Sequence, residues 1–181
     1  MQESKHTKLK LDELQRDSVD TFKSKQKTQI CLLLDDIRSL NNVGSSFRTA
    51  DAFALEKIWL CGITGTPPHR DIHKTALGAT ETVTWEHRTD ILTLIEELKT
   101  EGWIIVSVEQ ATNSVMLNDF KPVDNQKYAF IFGNEVDGVN EDVIDNSDVI
   151  LEIPQFGTKH SFNVSVSMGI VLWHSLFNMK Y

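Results

Sequence analysis

At 181 residues and 20.6 kDa the chain is the size of one domain with a substantial core. Hydrophobic residues make up 40% and charged residues 24%, a globular composition that excludes a disordered chain. The net charge of −8 argues at first against a nucleic-acid partner, but residues 1–27 hold seven Lys/Arg against five Asp/Glu, whereas residues 81–152 hold four against sixteen; a basic face outside the acidic stretch stays open beside the plainer reading of ordinary solvated charge.

The N-terminus, MQESKHTKLK, has no apolar signal core and is too mixed in charge for a transit peptide, so a cytoplasmic protein is expected. The segment Lys8–Phe22 places Leu11, Leu14 and Phe22 at roughly helical spacing and reads as an amphipathic helix, followed by a linker over Lys23–Gln29. Short apolar runs then predict strands at Ile30–Asp35, Lys57–Gly62, Thr82–Trp85, Trp103–Glu109, Tyr128–Gly133 and Val149–Pro154. The longest apolar run, Ile30–Leu34, falls far short of the ~18 residues of a membrane span. Helical patterns fall between the strands at Gly44–Leu55, a short turn at Ile72–Leu77, Asp90–Glu101 and Glu141–Asn146. Continuous rather than alternating apolar runs mark strands buried on both faces, hence an α/β fold with a mainly parallel sheet and helices on both faces. Cys31 and Cys61 sit inside such runs and read as reduced core residues.

A last helix is predicted from about Asn163 to Met179. It carries two apolar stripes, one with Val164, Met168, Val171 and Leu172, the other with Val166, Ile170, Trp173 and Phe177. One stripe packs on the sheet. The other needs a second partner, either a second copy in a homodimer or another part of the same chain.

In open α/β sheets ligands bind at the carboxyl ends of the strands. Three segments in that position are dense in Gly, Asn, Ser and charge: residues 38–50 (RSLNNVGSSFRTA), 133–140 (GNEVDGVN) and 154–167 (PQFGTKHSFNVSVS). Three such segments imply one shared site. Neither G-x-G-x-x-G nor G-x-x-x-x-G-K-[ST] is present, so dinucleotide and P-loop readings lack support, and there is no G-x-S-x-G elbow. His69 and His73 are four apart, but Pro67 and Pro68 before them argue for a loop, and no metal is expected.

Together the three segments resemble the SPOUT superfamily of RNA methyltransferases, specifically its SpoU/TrmH branch of ribose 2′-O-methyltransferases. The first carries the branch's Asn-x-Gly-x-x-x-Arg pattern as Asn42, Gly44 and Arg48. The second carries Gly-x-Glu-x-x-Gly as Gly133, Glu135 and Gly138. The third carries Ile153-Pro154, Gly157, Ser161, Asn163, Val164 and Ser165 in the branch's spacing, and KTALGA at 74–79 is also similar. The resemblance spans about residues 28–178, with residues 1–27 as an N-terminal extension. Phe162 departs from the family, which more often has Leu there; the change is one of size beside a backbone contact. The resemblance implies a C-terminal trefoil knot, S-adenosylmethionine bound within it, and a homodimer with each active site near the interface.

Methyl transfer to a ribose 2′-OH is an in-line displacement; the protein must position the oxygen, ease its deprotonation and hold the donor rigidly. The resemblance assigns Arg48 to this chemistry. With a pKa above ~12 a guanidinium is a poor base, so a fork gripping the adjacent phosphate and stabilising developing alkoxide charge is the physically safer role; the alternative is a plain surface arginine. Asn42 and Asn163 would position Arg48, the ribose or the backbone, or else merely cap helices. Glu135 would hold a catalytic amide or guanidinium, or remain a solvated loop carboxylate. Ser161 joins this catalytic group and, with Glu109, Gln110, Gly133, Ile153 and Phe162, would border the cofactor. RNA contacts are expected from Lys23, Lys25, Lys27, Arg38, Arg70 and Lys74, with Lys5, Lys8, Lys10, Arg16, His69, Lys159 and His160 extending the surface. Transfer RNA is the first substrate expected, because only a short helix precedes the domain; ribosomal RNA methylation and a non-catalytic RNA-binding knot protein are the rivals.

Overall fold

The computed structural model describes residues 7–14 and 16–179. Among these residues seven parallel strands form one sheet in the order β3-β2-β1-β6-β4-β7-β5: β1 Thr28–Asp35, β2 Leu55–Cys61, β3 Trp85–Arg88, β4 Trp103–Val108, β5 Val115–Met116, β6 Lys127–Phe132 and β7 Val149–Glu152. Six α-helices lie among the described residues: α1 Val19–Ser24, α2 Leu40–Ala52, α3 Arg70–Ala76, α4 Ile91–Thr100, α5 Glu141–Asp145 and α6 Val164–Asn178.

The continuous apolar runs do what their burial on both faces requires. Ile30, Leu32 and Leu34 of β1 pack with Val43 and Phe47 of α2, Ile72 of α3 and Met168, Val171 and Leu172 of α6. Cys31 and Leu33, pointing the other way, pack with Leu94, Ile95 and Leu98 of α4 and Val143 of α5. Both cysteines are buried and free, and burial pushes both thiols up. Among the described residues no helix is long and apolar enough to cross a membrane.

Several sequence expectations shift. The N-terminal helix expected over Lys8–Phe22 is instead a 3-10 turn at Leu11–Leu14 and the short α1, which extends into the expected linker; Ser18 caps α1, its hydroxyl accepting from the Thr21 amide, and no residue of α1 is buried. Lys5 lies outside the described residues, as does the packing of Leu11. The strand expected at Thr82–Trp85 lies three residues later, because Ala79–Glu81 forms a 3-10 turn. Its sequence, WEHR, suits an edge: β3 pairs with β2 alone, and charged side chains discourage further pairing. The turn expected at Ile72–Leu77 is the helix α3. The two-residue β5 at the opposite edge is too short to leave a sequence signal.

The first chemical segment also changes character. Residues 38–50 are not a loop: Ser39 caps α2, its hydroxyl accepting from the Asn42 amide, and the helix starts at Leu40, four residues before the expected Gly44. Gly44 allows close packing of α2 on α3, since a Cβ there would collide with the Thr75 hydroxyl and the Ile72 carbonyl.

Candidate functional site

The central strands β1, β6, β4 and β7 deliver four connections to one end of the sheet, the carboxyl end where α/β folds bind ligands. A cleft of about 460 Å³ opens there. Its walls come from Val108–Gln110 at the end of β4, Phe132–Gly138 at the end of β6, and Leu151, Ile153, Gln155 and His160–Val164 around β7 and the start of α6. All six expected cofactor residues, Glu109, Gln110, Gly133, Ile153, Ser161 and Phe162, line it. So do Glu135 and Asn163.

The loop after β6 is folded tightly against itself. Asn134 Oδ1 accepts from the amides of Val136 and Asp137, at 2.9 and 2.8 Å, and the Gly138 amide donates to the Asn134 carbonyl at 3.1 Å. A Cβ on Gly133 would run into the Gly138 backbone, so this turn requires glycine. Glu109 clamps the loop to β4: Oε2 accepts from the Val139 amide at 3.0 Å and Oε1 from its neighbour Gln110 at 2.8 Å.

A hydrogen-bonded chain then joins all three sequence segments. Glu135 Oε1 accepts from Asn42 Nδ2 at 2.8 Å and from the Ser39 amide at 3.1 Å; Oε2 accepts from the Arg38 amide at 3.1 Å. Asn163 Nδ2 donates to Asn42 Oδ1 at 3.2 Å. Asn163 Oδ1 in turn accepts from the Ser165 amide at 2.9 Å and its hydroxyl at 2.6 Å, capping α6. The carboxylate of Glu135 thus faces the N-terminus of α2, where the helix dipole favours negative charge. Burial raises its pKa, but the hydrogen bonds from Asn42 and the backbone amides outweigh this and hold it below the usual carboxylate range. Asn42 is 8% exposed and lies behind the cleft wall, where it links Glu135 to Asn163.

Arg48 lies elsewhere. It is on the exposed face of α2 and lines a second groove with Arg16, Asp17, Phe22, Lys25, Asp51 and Leu77, sharing no residue with the cleft. Among the described residues it makes no ion pair. Within one chain the structure therefore unites four of the five expected catalytic residues and leaves Arg48 apart.

The basic residues divide as well. Lys25 is paired with Asp17 at 3.1 Å, and Lys27 folds over the Phe22 ring, 3.2 Å from its centroid, where partial burial lowers its pKa. Arg38 pairs with Asp137 at 3.5 Å on the rim of the cleft. Lys23, Arg70, Lys74, Lys159 and His160 are exposed, and His160 lines the cleft. His69 accepts from the Asp71 amide through Nδ1, capping α3. Lys8, Lys10 and Arg16 are exposed. Among the described residues no cluster of three or more His, Cys, Asp or Glu is placed to hold a metal ion.

Sequence reasoning missed Ser39 and Asn134. The first was legible as a helix cap directly before the apolar face of α2. The second gave no signal apart from its place between Gly133 and Glu135.

The family model described as SpoU rRNA Methylase family matches residues 29–173. The 23S rRNA (guanosine-2′-O-)-methyltransferase RlmB of Neisseria meningitidis is 31% identical over 153 residues, 84% of this chain and 60% of the relative. The fold matches the A. aeolicus TrmH/SpoU tRNA modifying enzyme (TM-score 0.77, 22% identity, 88% of this chain and 79% of that one) and the AdoMet-bound rRNA methyltransferase of Sinorhizobium meliloti (TM-score 0.77, 23% identity, 86% and 59%). The chain spans 60% and 66% of the length of two of the curated relatives. The matched region takes in β1 from its second residue, the other six described strands, the cleft and the chain of hydrogen bonds from Glu135 to Asn163: the protein belongs to the SpoU rRNA methylase family.

Proposed function

We propose that the protein is an S-adenosylmethionine-dependent RNA ribose 2′-O-methyltransferase of the cytoplasm. The observation that carries this reading is the cleft itself, closed by the Glu135–Asn42–Asn163 chain and lined by residues from three of the strand ends. Its volume suits a nucleoside-sized ligand. The residues fit the cofactor: Val108, Phe132, Leu151 and Ile153 offer apolar walls, Gly133 lets backbone approach closely, and Glu109, Gln110 and Ser161 supply polar groups. Bound there, S-adenosylmethionine would supply an electrophilic methyl group for a ribose 2′-oxygen.

The chain's own residues have distinct tasks. Glu135 fixes the start of α2 and orients the Asn42 amide; Asn42 in turn orients Asn163 at the lip of the cleft. Ser161 and Phe162 flank the ligand. Arg48 grips a backbone phosphate and stabilises charge developing on the attacking oxygen. Because the groove of Arg48 and the cleft share no residue in one chain, the proposal requires a second copy to bring them together. An apolar groove along α6, lined by Phe53, Val166, Ile170, Trp173 and Phe177, supports a homodimer; Trp173 and Phe177 are 57% and 66% exposed. Residues 28–181 form the methyltransferase domain, knotted through its C-terminal segment, and residues 1–27 an RNA-contacting extension.

Transfer RNA is the first substrate proposed. Ribosomal RNA is the second reading, favoured by the 31% identity to a 23S rRNA enzyme. Mass-spectrometric mapping of 2′-O-methyl nucleosides in tRNA and rRNA, from cells with and without the gene, tests both. Loss of one such nucleoside is expected; identical maps would refute the proposal.

A further inference from the structure

Phe156 is 98% exposed, more than any other large apolar side chain among the described residues. It belongs to neither core and takes part in no ring contact there. Folding therefore gives no account of an aromatic ring at this position. Its surroundings do. Phe156 stands in the connection from β7 to α6, directly after Gln155 and shortly before His160–Asn163, all of which line the cleft. Val136, 71% exposed, also lines the cleft, from the loop after β6. Lys159, exposed and without an ion pair among the described residues, is three residues away. The apolar groove of α6 draws on no residue of this connection.

We propose that Phe156 is a stacking platform for an unpaired nucleobase beside the ribose that enters the cleft; the inference rests on the methyltransferase reading above. A 2′-OH reaches a recessed donor only if its nucleotide leaves the stack of its neighbours. A solvated ring in a connection whose flanking residues line the cleft replaces part of the stacking lost, and does so whatever the base, since every base has a π-face. Lys159 would meet the phosphate of the same nucleotide. A second copy of the chain is the competing occupant; the α6 groove proposed as its seat takes no residue from residues 153–163, and the oligomeric state of the variants tells the two apart.

The test uses the full chain and the variants Phe156→Ala, Phe156→Leu and Phe156→Trp, with a fluorescein-labelled single-stranded RNA of twelve nucleotides followed by anisotropy. Because the ring is 98% exposed and belongs to neither core among the described residues, all variants are expected to melt with the wild type and to keep its affinity for S-adenosylhomocysteine. Phe156→Ala should bind the RNA about tenfold more weakly with an unchanged salt slope, Phe156→Trp should match or exceed the wild type, and Phe156→Leu should fall between. Lys159→Ala should instead flatten the salt slope. Wild-type affinity in Phe156→Ala or Phe156→Leu would overturn the inference. So would failure of the wild type to bind this RNA, or a change in oligomeric state on removing the ring. Failure of the methyltransferase reading would show separately, as a wild type without affinity for S-adenosylhomocysteine.

Discussion

Replacing Glu135 with Gln tests the keystone of the site, because the side chain keeps its shape and loses its charge. The carboxylate accepts three hydrogen bonds, at 2.8, 3.1 and 3.1 Å, and both oxygens act only as acceptors. An amide offers one acceptor oxygen, so at least the bond to the Arg38 amide is replaced by a donor facing a donor. One lost bond and two weakened ones amount to about 2–3 kcal/mol if buried; on an exposed loop the figure falls to about 1–2 kcal/mol. For a chain of this length that lowers Tm by about 2–8 °C. The pH dependence is fixed in sign. The native carboxylate titrates below its ordinary range, so between the folded and unfolded values the unfolded chain binds more protons, and stability rises with pH there. The contribution is complete above ~4.3 and is lost as pH falls through the folded value. Thermal melts from pH 3 to 7 should therefore show the largest gap between wild type and Glu135→Gln at neutral pH, closing in acid. Methyl transfer should fall with it, through displacement of Asn42. A gap independent of pH, or a variant as stable as the wild type at pH 7, would refute the keystone role.

Other outcomes follow from the same geometry. Asp35 is 7% exposed, and burial together with the neighbouring Asp36 carboxylate pushes its pKa up to about 6; its folded form holds the proton longer than the unfolded chain, so it costs stability as pH rises from ~4 to about 6, and Asp35→Asn should be more stable by roughly 1–3 kcal/mol at pH 7, with the advantage fading by pH 4, in chemical denaturation. Arg48→Ala should reduce methyl transfer on the order of a hundredfold with unchanged melting and cofactor affinity, since the residue is exposed and lines no part of the cleft; weakened cofactor binding by calorimetry would contradict this. Trp173→Glu should give a folded monomer in sedimentation, because Trp173 contacts Phe177, with ring centroids 3.9 Å apart, on an exposed face; an unchanged dimer would remove α6 from the interface. Lys23→Ala should lower the salt slope of RNA binding by about one, and Lys27→Ala by less, because Lys27 is already folded over Phe22.

The sheet was legible because burial on both faces writes itself as uninterrupted apolar runs; β1, β2, β4 and β6 sit within two residues of where Ile30–Asp35 and its counterparts put them. Polar edges are written differently. Trp85–Arg88 pairs on one side only, so its sequence is free to look like a turn, and the register fell on Thr82–Trp85 instead. The start of α2 was missed because Asn42, Asn41 and Gly44 are poor helix formers; Ser39 and the carboxylate of Glu135, ninety-six residues further on, satisfy the helix end that local propensity does not. Two walls of the cleft were legible from the resemblance of the second and third segments, and Glu109 and Gln110 from the end of a strand; the hydrogen bonds that join Asn42, Glu135 and Asn163 were not, since pairing across such distances in sequence depends on the folded sheet. The position of Arg48 shows the same limit: its motif places it with Asn42, while six residues of helix turn it to another face.

The central claim is that the ends of β4, β6 and β7 build one donor site, with Asn42 of the first segment joining Glu135 to Asn163 behind it. Isothermal calorimetry of S-adenosylhomocysteine with the wild type and Gly133→Ala, whose added Cβ would strike the Gly138 backbone, tests it most directly. One saturable site per chain, lost in the variant, is the predicted result; no heat with the wild type, or equal affinity in both, would contradict it.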